Sequence, residues 1–142
     1  MSAKKIERTL QTAIIGLLDA DAYIVANSLP VREWYDVAEE LTERQVIVHA
    51  NPGTPSLMDE SGEAKEWRVQ IDVAAYCYTT STETVGASTL YEYLLGFMLA
   101  LTSANIATAS GLTITGKSIV ESSEAFDERF RGKVVSIEVF AS

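Results

Sequence analysis

The chain is poor in the residues that build most catalytic and metal sites. Its 142 residues include one cysteine and one histidine. A single cysteine excludes an internal disulfide framework, and no zinc-ligand spacing can be assembled from it. Cations are also scarce. Eleven Lys and Arg face twenty Asp and Glu, for a net charge of −9. That balance excludes a protein that grips nucleic acid by its phosphates, which needs a basic face. It does not exclude a protein past which DNA slides. The most apolar run, "YLLGFMLAL", stops well short of the ~20 residues of a membrane span. The opening "MSAKKIERTL" is interrupted by Glu7 and Arg8, so no signal peptide is expected and the expected compartment is cytosolic. Nucleotide-binding glycine motifs, a Walker A and a nucleophile elbow are all missing.

What is present reads as one globular domain over residues 1–142, since 47% of the residues are hydrophobic and no linker or repeat divides them. Ile6, Leu10, Ile14, Leu17 and Leu18 recur at helical spacing, with Ser2 as N-cap. "QVIVHA" reads as a strand ended by the turn signal "NPG". "WRVQIDVAAYCYTT" is the clearest strand. Trp67, Val69, Ile71, Val73, Ala75 and Cys77 share one face, and Arg68, Gln70, Asp72, Ala74, Tyr76 and Tyr78 share the other. That second face turns from polar to aromatic, so its later half needs a cover from another element or another subunit.

A second long helix is expected from about Thr82 to Leu101, with Thr80 and Glu83 at capping-box spacing. Gly96 within it suggests a close backbone approach. "DVAEEL" has the length of one short helical turn. "LTITGKSIVESS" reads as a strand or a short hairpin around Gly116, and "EAFDERFRGK" as a charged connection. "VVSIEVFA" alternates, with Val135, Ile137 and Val139 on one face. The order predicts an α+β fold: an antiparallel or mixed sheet with two main helices packed on one face. The expected core comprises Leu10, Ile14, Leu17, Val69, Ile71, Val73, Leu94, Met98, Ile137 and Val139.

Candidate chemistry is thin. His49 ends a strand and reads as a rim residue. Cys77 alternates with apolar neighbours and reads as a small buried hydrophobe. The acidic "MDESGE" lacks the spacing of a calcium loop and reads as solvated. No catalytic residue, cofactor or metal ligand is assigned, and no enzymatic activity is expected. Tyr76, Tyr78, Arg129 and Arg131 are the candidates for contacts between subunits, because aromatic and basic groups stand out on an acidic chain. Residues 51–66 hold two prolines, two glycines and little apolar surface, so they read as a flexible loop or arm.

The layout resembles the tail terminator (tail completion) proteins of long-tailed bacteriophages. The resemblance runs through "IERTLQTAIIGLLDA", "LPVREWYDVAEELTERQVIVHANP", "WRVQIDVAAYCY", "TLYEYLLGFMLAL" and "ERFRGKVVSIEVFA". It implies an α+β subunit of a homohexameric ring in the virion tail, at the end next to the neck, assembled in the host cytoplasm. Such a ring caps the tail tube, stops tube polymerisation and meets a neck or head–tail connector protein, while DNA passes through the lumen without specific binding. On that reading residues 51–66 are an arm that lies over the next subunit or reaches the tail tube, with Leu57 and Met58 as its tube-binding anchor. Another neck or head–tail joining protein would share this composition. A small ligand-binding or enzymatic α+β domain would instead need a pocket holding Tyr76, Tyr78, Asp72 or His49.

Overall fold

The computed structural model describes residues 2–33, 44–78, 83–126 and 130–142, with the side chains of 77–78, 83–88, 121–126 and 130–131 left aside. The fold is α+β, with a mixed six-stranded sheet and four helices among the described residues. Helix α1 spans Ala3–Asp19, α2 Ala22–Ala26, α3 Glu83–Ala100 and α4 Ser103–Ser110. The strands are β1 Val31–Glu33, β2 Gln45–Ala50, β3 Thr54–Met58, β4 Ala64–Tyr78, β5 Ile114–Phe126 and β6 Phe130–Ala141. Their order is β1-β2-β4-β6-β5, with β3 on β4 and only β1–β2 parallel.

Period-2 alternation on the central strands sets the two faces of the sheet. Val69, Ile71, Val73 and Ala75 of β4 lie beside Val139, Ile137, Val135 and Lys133 of β6. The apolar members of this set are fully buried, together with Val46 and Val48 of β2. Helices α1 and α3 cover that face with Ile6, Leu10, Ile14, Leu18, Leu90, Leu94 and Met98. Each such side chain contributes about 1.5–3 kcal/mol on burial. Both long helices lie where their spacing predicts, and Ser2 caps α1 by accepting from Lys5 N–H. Leu17 is only half-buried, unlike the expectation, because its place on α1 turns it toward the helix flank rather than the sheet. Gly96 marks no close approach: a Cβ there would meet nothing within 4 Å.

The largest correction concerns residues 51–66. They form secondary structure. β2 and β3 run in sequence along one edge of β4, from Gln45↔Tyr76 to Met58↔Ala64. The connection is therefore a long bulged hairpin, broken at Asn51–Gly53 and turned at Asp59–Glu63. Two backbone N–H groups here have no strand acceptor: that of Ala50 is on the β1 side of β2, past the Glu33↔Val48 pair, and that of Gly53 lies in the break beside Pro52. Helix α1 supplies both acceptors. The buried Gln11 Oε1 accepts from Ala50 N–H at 2.9 Å, and Glu7 accepts from Gly53 N–H. Asn51 stays on β4 through its own N–H to Gln70 O at 2.8 Å. At the far end Asp59 Oδ1 accepts from Ser61 N–H, Ser61 O–H and Glu63 N–H, and Gly62 takes a positive φ of 86° that suits glycine.

"LTITGKSIVESS" takes the first of its two expected forms, a single strand, whereas most of "EAFDERFRGK" continues β5 and β6 rather than connecting them. Pairing with the neighbouring strand outweighs the low strand propensity of those charged residues. Helix α4 was not foreseen. Thr102 and Asn105 form its capping box, and Gly111 ends it at φ 72°. "DVAEEL" and Thr80 of the expected capping pair fall outside the described residues.

Candidate assembly surfaces

The helices cover one face of the sheet, and the face opposite them carries the polar and aromatic side chains. Its rows read across the strands. His49, Asp72 and Ser136 stand side by side, followed by Ile47, Ala74 and Val134, then Gln45, Tyr76 and Gly132. Asp72 is the hub. Its Oδ1 accepts from Ser136 O–H at 2.6 Å and from Gln70 Nε2 at 3.1 Å, and its Oδ2 accepts from Asn51 Nδ2 at 2.9 Å. Burial pushes this carboxyl up. The three hydrogen bonds and the nearby His49 more than offset that, so it lies below the usual aspartate value. His49, Asp72 and Tyr76 border an open cleft of about 370 Å³, floored by Ile47, Ala74 and Val134.

Tyr76 lies flat over Gly132. A Cβ added at Gly132 would fall 2.5 Å from the ring's Cε1. Phe140 packs more loosely beside Gly116, where a Cβ would come 3.3 Å from its Cδ2 alone. The Tyr76 ring fills the space that its cross-strand glycine leaves. The expected need of Tyr76 for a cover is thus met in part within the chain. Tyr78 stands opposite Phe130, and Arg131 opposite Cys77, one register step from the Tyr76–Gly132 row. Arg129 lies outside the described residues.

The ribbon β3–β4 forms the second surface. β6 ends at Ala141, opposite Trp67, so residues 64–66 pair only with β3. Near this end Leu57 and Met58 are 55% and 54% exposed. Ser56 and Thr115 both donate to Glu66, which fixes the base of the ribbon against the start of β5. The sequence marks Leu57 and Met58 as the apolar pair but gives no sign of their strand.

A third surface is the groove between α1 and α4, about 560 Å³, bordered by Arg8, Thr12, Ala13, Leu17 and Ala109. Sequence reasoning missed it because α4 was not foreseen. Its signal was the Thr102–Asn105 cap spacing and the closing Gly111.

Elsewhere the polar groups brace the fold. Lys117 of β5 donates to the carbonyls of Met98 and Leu101 and so caps the C-terminus of α3. Tyr93 stacks on Tyr23 with ring centres 4.0 Å apart and donates to Asp21, the N-cap of α2. Among the described residues no group of three or more His, Cys, Asp or Glu is placed to hold a metal ion. Nor is any single described helix long and apolar enough to cross a membrane. No protein-family model matches the chain, and no curated protein matches it.

Proposed function

We propose that this chain is a tail terminator subunit: a structural, non-enzymatic protein that joins copies of itself in a ring, capping a tail tube and meeting the neck. The observation that carries the reading is the β3–β4 ribbon. It holds two large apolar side chains more than half exposed at the end of the sheet. Exposed apolar groups concentrated on a projecting element mark a contact with another chain. The sheet face around Tyr76, opposite the helices, offers a second contact. Arg129 and Arg131, the basic candidates of the sequence, are assigned to the neighbouring subunit on this reading. The hexameric count and the neck partner come from the resemblance. The net charge of −9 suits a ring through which DNA passes without sticking.

The test is assembly. The purified protein is expected to form a ring by mass in solution and negative-stain imaging, and to stop tube growth when added to polymerising tail-tube protein. A protein that stays monomeric and leaves tube length unchanged overturns the reading. Labelling its position on intact tails separates a terminator from another neck protein.

One observation favours a second reading. The cleft gathers Asp72, His49 and Tyr76, three of the four residues that a ligand-binding domain would need. A thermal-shift screen of small molecules, scored against Asp72→Asn, decides it.

A further inference from the structure

We infer that the ribbon tip of one copy docks in the α1–α4 groove of a second copy. Leu57 and Met58 sit on the apolar floor of the groove, and the tip carboxylates face the basic start of α1. This rests on the ring-forming reading above and names the partner of the ribbon.

Charge selects this partner. Two copies of net charge −9 repel each other, and a local meeting of opposite charges offsets that repulsion. The tip is apolar and acidic: Leu57 and Met58 run directly into Asp59, Glu60 and Glu63. The groove is apolar and basic. Ala13, Leu17 and Ala109 line it, Arg8 stands on its rim, and Lys4 and Lys5 are exposed one turn earlier on the same helix. Within five residues α1 thus gathers three of the chain's eleven cations.

Shape agrees. The register shift between Leu57 and Met58 interrupts the alternation that would send neighbouring side chains to opposite faces. The turn is pre-ordered by the three hydrogen bonds to Asp59, so docking has little conformational entropy to overcome. In the single chain both tip side chains remain more than half exposed, so they do not fill their own groove. Tip and groove are different surfaces. The contact is therefore head-to-tail, the kind that closes into a ring when its rotation permits.

The test uses the full chain and sedimentation velocity. One variant, Leu57→Ser with Met58→Ser, disables the tip. Another, Gly16→Leu, fills the groove, where a Cβ meets nothing within 4 Å and leucine favours the helix. Circular dichroism confirms that both are folded. Each is expected to weaken self-association by at least about tenfold, as loss of a central anchor does. Mixing them is decisive. One variant keeps a working groove and the other a working tip, so the mixture forms a 1:1 dimer that grows no further. In a third arm, Arg8→Glu weakens association and Glu60→Arg with Glu63→Arg restores it. Wild-type association by either variant, or a mixture that stays monomeric, overturns the docking. The outcomes for function are separate. Rings that form without tip or groove sink the docking and spare the terminator reading. Rings that need both but leave tube growth unchecked do the reverse.

Discussion

Replacing Gly132 by alanine tests the sheet face opposite the helices more directly than any surface change. Glycine to alanine within a strand ordinarily stabilises by about 0.5–1 kcal/mol, because the unfolded chain loses freedom. Gly132 does not take a positive φ, so alanine meets no backbone strain there. The ring of Tyr76 reverses the sign. The new Cβ would lie 2.5, 2.8 and 2.9 Å from Cε1, Cδ1 and Cζ of that ring, whereas carbon pairs settle at about 3.5–4.0 Å. The ring must swing off the strand or the strands must part, and such overpacking costs about 1–3 kcal/mol. The net expectation for Gly132→Ala is a loss of up to about 2.5 kcal/mol, with its centre at about 1. In a domain of this size that lowers Tm by about 3–8 °C.

The assay is chemical denaturation of four proteins: wild type, Gly132→Ala, Tyr76→Ala and the double variant. Removing the ring removes the clash, so Gly132→Ala should become neutral or stabilising in the Tyr76→Ala background. The coupling between the two sites is then about 1–3 kcal/mol, as expected of residues in contact. Gly16→Ala is the control, since its Cβ meets nothing within 4 Å, and it should stabilise α1 by up to ~1 kcal/mol. If the effect of Gly132→Ala is the same with and without the ring, the aromatic–glycine packing is refuted.

Gln11→Leu should destabilise by about 1–3 kcal/mol in urea, because Ala50 N–H, at the end of β2, loses its acceptor. Lys117→Met should cost a similar ~1–3 kcal/mol and raise amide exchange in the last turn of α3, whose carbonyls Lys117 now caps. Asp72 titrates below its unfolded value of 3.8, so its contribution is present above that pH and lost as pH falls through the lower folded value. Asp72→Asn should therefore flatten the acid limb of a pH–stability curve below about pH 4. Tyr93 is pushed up to about 12 from 10.0 by burial and by its bond to Asp21, so its contribution holds below pH 10 and falls away between 10 and 12. Absorbance titration of Tyr93→Phe should lack that late-ionising tyrosine.

Legibility in the sequence followed burial. Helix α1 and strands β4 and β6 press one face into the core and their apolar spacing announces it, while β2 is buried on both faces over its first four residues and shows as a continuous apolar run. Helix α3 was read from Leu90, Leu94 and Met98, which are all buried. The missed elements lack that signal. Every residue of β3 is exposed, and it contains Pro55. Helix α4 buries only Ile106 among its eight residues, so no period can emerge from it. β1 is three residues long. At the sites, the apolar pair Leu57–Met58 could be read directly, whereas the gathering of His49, Asp72 and Tyr76 depended on the register of β2 against β4. Register is set by pairing across the turn and the break, and no window on one strand contains it.

That dependence explains why Asn51–Gly53 matters to all three surfaces. The break lets β2 and β3 pair with one strand while α1 supplies the missing acceptors through Gln11 and Glu7. The helix that borders the groove therefore also holds the root of the ribbon. Asn51, at the same break, donates to Asp72 and thereby braces the cleft beside Tyr76. A chain without the break would keep its core, because Val46, Val48, Ile71 and Val73 would still alternate inward. It would lose the fixed relation between groove, ribbon and cleft. Placing these surfaces at set angles to one another is what a head-to-tail assembly requires, since the rotation between successive copies decides whether the chain of contacts closes. On the proposed head-to-tail contact, that rotation would be referred to this break and to Gln11 and Glu7 of α1, which hold Ala50 and Gly53 on either side of Pro52.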